Sequence, residues 1–162
     1  MVEQAKARPN GHIWMSAEQF YNAAEFIWTS KGVDLNKFVF PLLVNYALCA
    51  ELSLKAAEGI VRYGPVCPAG LISASATKSA VQGHGLDKVF AALQLDTQSK
   101  IANEFSIATG EPLVPLLAMC SHYFIQARYP YEQIGGVYDL SGVRTLARGL
   151  LQAVKVFGKR SP

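Results

Sequence analysis

The stretch from residue 35 to 64, LNKFVFPLLVNYALCAELSLKAAEGIVRYG, constrains this chain more than any other. It carries the longest helical signal, and from Leu42 to Leu54 the helix is apolar nearly all round. A helix with no polar face cannot lie on a surface, so it belongs at the centre of a bundle. Asp34 or Asn36 can cap it, and Pro41 fits only in the first turn, where no backbone hydrogen bond is lost. Glu51 is the anomaly: a carboxylate inside this run must be paired or hydrogen-bonded, because an isolated buried charge costs several kcal/mol. Lys55, one turn on, is the obvious partner. The charge-free apolar run, Phe38 to Ala50 between Lys37 and Glu51, is shorter than a bilayer span requires.

Other helices follow from their apolar spacing. Ser16-x-x-Gln19 forms a capping-box pattern, and Phe20, Ala23, Ala24 and Ile27 then make one apolar face that ends at Lys31-Gly32. Trp14 and Trp28 are expected as packing anchors. GLDKVFAAL reads as a short helix. DTQSKIANEFSIA reads as an amphipathic one, capped by Asp96 or Thr97 and facing inward through Ile101, Phe105 and Ala108. PLVPLLAMCSHYFIQARYP continues through Leu116, Leu117, Cys120 and Phe124. The last helix places Leu146, Leu150, Ala153 and Phe157 on one face. No segment alternates convincingly with period two, so the expected fold is all-α: a bundle of five to seven helices with a long Gly/Ser/Pro-rich loop near 59–83. One helical domain spans 1–162, with its core at 14–157 and flexible ends at 1–12 and 158–162.

At 162 residues the chain is long enough to bury a sizeable core, and half of it is apolar with 17% charged residues. A net charge of +3 is mildly basic, with no Lys/Arg run above ordinary surface. Cys49, Cys67 and Cys120 are odd in number and widely spaced, which points away from a disulfide framework or a zinc site. The polar start MVEQAKARPNGH lacks the apolar core of a signal peptide. Together these predict a cytoplasmic location, with no membrane contact, no metal and no cofactor.

Three short motifs occur in order: AELSLKAA at 50–57, GHGLDKVFAAL at 83–93 and ARYPYEQ at 127–133. This succession resembles the HEPN superfamily, whose small bacterial branch has an E-L-x-L-K helix, then G-H-[DN]-L-x-x-L, then R-Y-x-Y-E. The resemblance covers roughly residues 38–134. It implies a helix bundle that commonly forms a homodimer and deals with RNA or nucleotides, in toxin–antitoxin or defence settings, or beside a partner protein such as a nucleotidyltransferase. Many members are metal-independent ribonucleases in which an R-x4-6-H motif sets a histidine on the ribose 2′-OH or leaving oxygen and an arginine on the phosphate. Others are inactive partners or binding modules.

Here the pattern departs from that motif. No histidine follows Arg128; the three in the chain are His12, His84 and His122. Gly85 replaces the Asp or Asn that would cap the short helix, so His84 or Gly83 would share that role. The resemblance singles out Glu51, Lys55, His84, Arg128, Tyr129, Tyr131 and Glu132. These form either a structural network, with Glu51 neutralised by Lys55 and Arg128 and with His84 locking the loop to the central helix, or a cleft. In a cleft, Arg128 would fork onto an anion and the tyrosines would stack on a base. His122, on an apolar helix, is expected as a satisfied core or interface histidine. The leading expectation is a non-catalytic module that binds a nucleotide, RNA or a partner protein. One alternative is a ribonuclease using a displaced His84 or His122 with Arg128; another is a pure protein-interaction or structural homodimer.

Overall fold

Helix α2, Val39–Ala57, is the central helix, against which both the first and the last helix pack. The computed structural model describes residues 9–62, 76–132 and 136–160, the Arg62 and Arg160 side chains excepted. The expected flexible ends at 1–8 and 161–162, Cys67 with the middle of the loop (63–75), and Gln133 and Gly135 fall outside the described residues.

Leu42, Leu43, Tyr46, Ala47, Cys49, Ala50 and Leu54 of α2 are fully buried. Burial of each large side chain contributes about 1.5–3 kcal/mol, so α2 is held by its own composition. Pro41 lies in its first turn, and Asp34 caps the 3₁₀ turn Leu35–Phe38 that leads into it. Counted together, Leu35–Ala57 is a 23-residue helical stretch, long and apolar enough by composition to cross a bilayer. Length therefore does not exclude a span, contrary to what the shorter run suggested; half of the apolar window is buried inside the structure.

Helix α1, Gly11–Thr29, packs along α2. It starts five residues before the expected Ser16 cap. The Asn10 side chain accepts from the His12 and Ile13 amides at 3.0 and 3.1 Å, and the Asn10 amide donates to the Ala56 carbonyl at 2.7 Å. Ser16 instead sits inside the helix and donates to the His12 carbonyl. Ala17 and Ala24 are buried, whereas Ala23 is exposed. The boundary moved because Asn10 satisfies the first-turn donors where Ser16 was expected to. Residues 9–12 thus belong to the fold.

The expected loop opens with a β-hairpin, the main departure from an all-α fold. Strand β1, Gly59–Arg62, pairs antiparallel with β2, Ala76–Ser79, in the register Gly59↔Ser79. Four-residue strands are too short for alternation to stand out in the sequence. A Cβ on Gly59 would overlap the Asn10 side chain, so glycine lets the strand cross the start of α1.

Helix α3, Leu86–Ala91, has Gly85 as its N-cap residue, with neither Gly83 nor His84 in that role. Helix α4, Leu95–Thr109, begins before the expected Asp96 or Thr97 cap. Glu58, at the end of α2 and 6% exposed, accepts from the Gln94 amide at 2.9 Å and sets a negative charge at that helix start. Ile101 and Phe105 are buried, but Ala108 is exposed. The single helix expected from Pro112 to Tyr129 is two: α5, Leu113–Cys120, and α6, Tyr123–Arg128, with Ser121 and His122 at the break. Helix α7, Leu140–Arg160, runs past the expected end at 157 and packs against α2 and α4. Leu146, Leu150 and Ala153 are buried as expected, with Phe157 half-buried at the rim.

Candidate functional site

Glu51 is 2% exposed, and its carboxylate meets two partners. The Lys55 ammonium lies 2.6 Å from Oε1, one turn along α2. His84 Nδ1 lies 3.1 and 3.2 Å from the two carboxylate oxygens. His84 stands between β2 and α3, in a segment that Gly83 turns with φ +103° and Gly85 carries into the helix. Its side chain is 52% exposed. With Nδ1 directed at the carboxylate, Nε2 is the nitrogen left for a ligand or a proton transfer. A buried carboxylate fixing an accessible imidazole is the arrangement that orients a general base.

Arg128 does not join this network, contrary to the expectation that it would neutralise Glu51. It ends α6, donates to the Tyr129 hydroxyl at 2.8 Å, and lies over the Phe124 and Tyr129 rings at 5.2 and 5.0 Å. Phe124 in turn meets the His84 ring, with centroids 5.5 Å apart. Tyr129 meets Tyr131 edge-on at 6.2 Å. The result is a chain of contacts, His84–Phe124–Arg128–Tyr129–Tyr131, in which a guanidinium links the rings from the buried carboxylate to the surface. Pro130 produces this geometry: it stops α6 at Arg128 and opens a 3₁₀ turn, Pro130–Glu132, that throws Tyr131 outward to 79% exposure. Glu132 is exposed, and its amide closes the turn onto the Tyr129 carbonyl.

His122 is neither a core residue nor part of this run. It is exposed at the α5–α6 break, because the helix expected to bury it is interrupted there. Asp87 accepts from the Ser121 hydroxyl. That hydrogen bond, with the Lys88 and Asp87 backbone amides, holds its carboxyl below the ordinary value. No group of three or more His, Cys, Asp or Glu that could hold a metal occurs among the described residues. Burial pushes the Cys49 and Cys120 thiols up to about 12, so both behave as inert core groups.

A second polar cluster was not foreseen. Glu25 of α1 accepts from Arg144 Nε at 2.7 Å, from the second guanidinium nitrogen at 2.8 Å, and from the Tyr46 hydroxyl at 2.7 Å. Arg144 also covers the Trp28 ring at 4.9 Å. The Arg144 hydrogen bonds hold the Glu25 carboxyl below its ordinary value despite opposing desolvation, while burial and the Glu25 hydrogen bond raise Tyr46. The pair is 119 positions apart, so no local spacing could reveal it. Beside it, α1 and α7 flank a half-open groove of about 430 Å³ that includes Trp14, Tyr21, Arg148 and Lys155. A smaller hollow of about 100 Å³ continues along α7 between Ser141, Arg144, Thr145 and Arg148. Trp14 is anchored as expected, its indole N–H donating to the Leu151 carbonyl at 2.9 Å, and Lys155 covers its ring.

No family model, curated protein or solved structure matches the chain.

Proposed function

We propose that this chain is a HEPN-like helical module that binds a nucleotide or single-stranded RNA on the face running from His84 to Tyr131. The observation that carries the reading is Arg128 itself: it is an exposed guanidinium held by rings instead of by a carboxylate, beside the outward Tyr131. Such a guanidinium, with one N–H given to the Tyr129 hydroxyl, keeps its other donors for an anion, and the outward Tyr131 offers a stacking surface for a base. The order of the AELSLKAA, GHGLDKVFAAL and ARYPYEQ motifs supports the same assignment. Fluorescence anisotropy with a labelled RNA oligonucleotide tests it. Arg128→Ala and Tyr131→Ala should each weaken binding while leaving the melting temperature unchanged. Wild-type affinity in both variants refutes it.

A second reading rests on the Glu51–His84 contact: a metal-independent ribonuclease with His84 as the base, oriented by Glu51, and Arg128 on the phosphate. It predicts RNA cleavage in EDTA that is lost in His84→Ala. An absence of cleavage by pure wild-type protein removes it and leaves the binding module. Homodimer formation or docking to a partner such as a nucleotidyltransferase is compatible with either reading.

A further inference from the structure

The charge on this chain is segregated in a way its modest total conceals. Helix α7 contains Arg144, Arg148, Lys155, Lys159 and Arg160, and no acidic residue. The whole chain has 15 Lys and Arg against 12 Asp and Glu, so outside α7 the acids outnumber the bases, twelve to ten. At about 100° per residue, Arg144, Arg148, Gln152, Lys155 and Lys159 fall within an arc of roughly 80°. They form one stripe about 22 Å long at 1.5 Å per residue. Arg148, Gln152, Lys155 and Lys159 are exposed, and Arg144 is partly so. The opposite face is spent on the core through Val143, Leu146, Ala147, Leu150, Ala153 and Val154, so a partner meets only the basic side.

The two hollows lie along this stripe, with Arg148 bordering both. Arg144 is already paired with Glu25, but no described carboxylate pairs with Arg148 or Lys155. The cations are strung along the helix instead of converging, which suits a series of charges more than one small anion. Trp14 and Tyr21 supply rings beside them, and Glu18 adds one carboxylate at the groove edge. A positive groove lined with aromatic rings is the arrangement that tracks a single strand: cations on phosphates, rings beside bases.

We propose that the outer face of α7 and its groove with α1 form a second contact surface, separate from the Arg128 face, for the phosphodiester backbone of single-stranded nucleic acid. The test is a titration of the full chain with a labelled oligouridylate of about twelve nucleotides, within the site sizes of single-strand binders, at several salt concentrations. Arg148→Ala/Lys155→Ala should weaken binding and reduce the slope of log K against log salt by about 1.4, which is about 0.7 for each phosphate no longer neutralised. Both side chains are exposed, so the fold should survive, which a thermal melt checks. Tyr131→Ala, in the same titration, should weaken binding with the slope unchanged. Weakening confined to Tyr131→Ala overturns the α7 surface and leaves the Arg128 face standing; weakening confined to the α7 variant does the reverse. Failure of wild type to bind the oligonucleotide overturns this proposal. So does binding to phosphatidylserine vesicles, but not RNA, that depends on Arg148 and Lys155.

Discussion

Glu51 and Lys55 offer a sharp test of how this fold tolerates charge. Both Glu51–Lys55 and Asp96–Lys100 are i, i+4 pairs with 2.6 Å between charged atoms. Their surroundings differ: the Glu51 and Lys55 side chains are 3% and 16% exposed, those of Asp96 and Lys100 75% and 54%. Breaking a buried pair by removing one partner costs roughly 3–5 kcal/mol, because the survivor is left without compensation. Lys55→Met strands the buried Glu51 carboxylate with His84 alone, so about 3 kcal/mol is expected. Glu51→Gln leaves a partly wetted ammonium, so about 2 kcal/mol is expected. The double variant Glu51→Gln/Lys55→Met removes both charges and should cost less than the sum of the singles, with a coupling of at least about 1 kcal/mol. At about 2–4 °C per kcal/mol for a chain of this size, the singles should melt about 4–12 °C below wild type. Urea unfolding followed by circular dichroism on the four proteins gives the cycle. The same cycle on Asp96 and Lys100 should return no more than about 0.5 kcal/mol, as exposed helix pairs do. Additive single-variant costs at Glu51 and Lys55, within about 0.5 kcal/mol, would refute the claim that burial makes this pair matter.

Glu25 yields a pH signature. Because Arg144 holds its folded carboxyl below the ordinary glutamate value, the stabilisation is complete above that value and is lost as pH falls through the lower folded one. The melting-temperature gap between wild type and Glu25→Gln should therefore shrink on acidification from neutral pH to below about 4; a gap independent of pH contradicts the assignment. Gly149 lies where α7 meets α4: an added Cβ would overlap the Phe105 ring and come within 2.6 Å of the Thr109 methyl. Gly149→Ala should thus destabilise by about 1–3 kcal/mol, despite alanine's better helix propensity, as a denaturation midpoint would reveal. In a Cys67→Ser background, Ellman's reagent at mild alkaline pH should find Cys49 and Cys120 silent until urea unfolds the chain, since burial suppresses both thiolates. Rapid native labelling would show that the helices around them open.

Much of the bundle was legible because helix formation leaves a local record. The position of α2 at the centre follows from its own composition, and the pairing of Glu51 with Lys55 follows from one turn of helix. Pro130 announces the end of α6 from its ring chemistry alone. Where local signals competed, sequence reasoning chose wrongly: Asn10 takes the capping role given to Ser16, and Glu58 reaches from α2 to the start of α4. The hairpin at Gly59–Ser79 escaped notice because four residues carry too little period to read.

The sequence alone determined which residue types had to be buried, which carboxylate needed a partner, and where helices had to stop. Each of these depends on a few neighbouring residues. Tertiary structure decided which distant groups meet: His84 joins Glu51, Arg128 goes to rings instead of the carboxylate, and Glu25 binds Arg144 across 119 positions. It also decided that Arg148 and Lys155 of α7 face outward along the hollows beside α1. Those outcomes depend on how whole helices pack against one another, and packing is a property of the assembled core that no short window of residues contains.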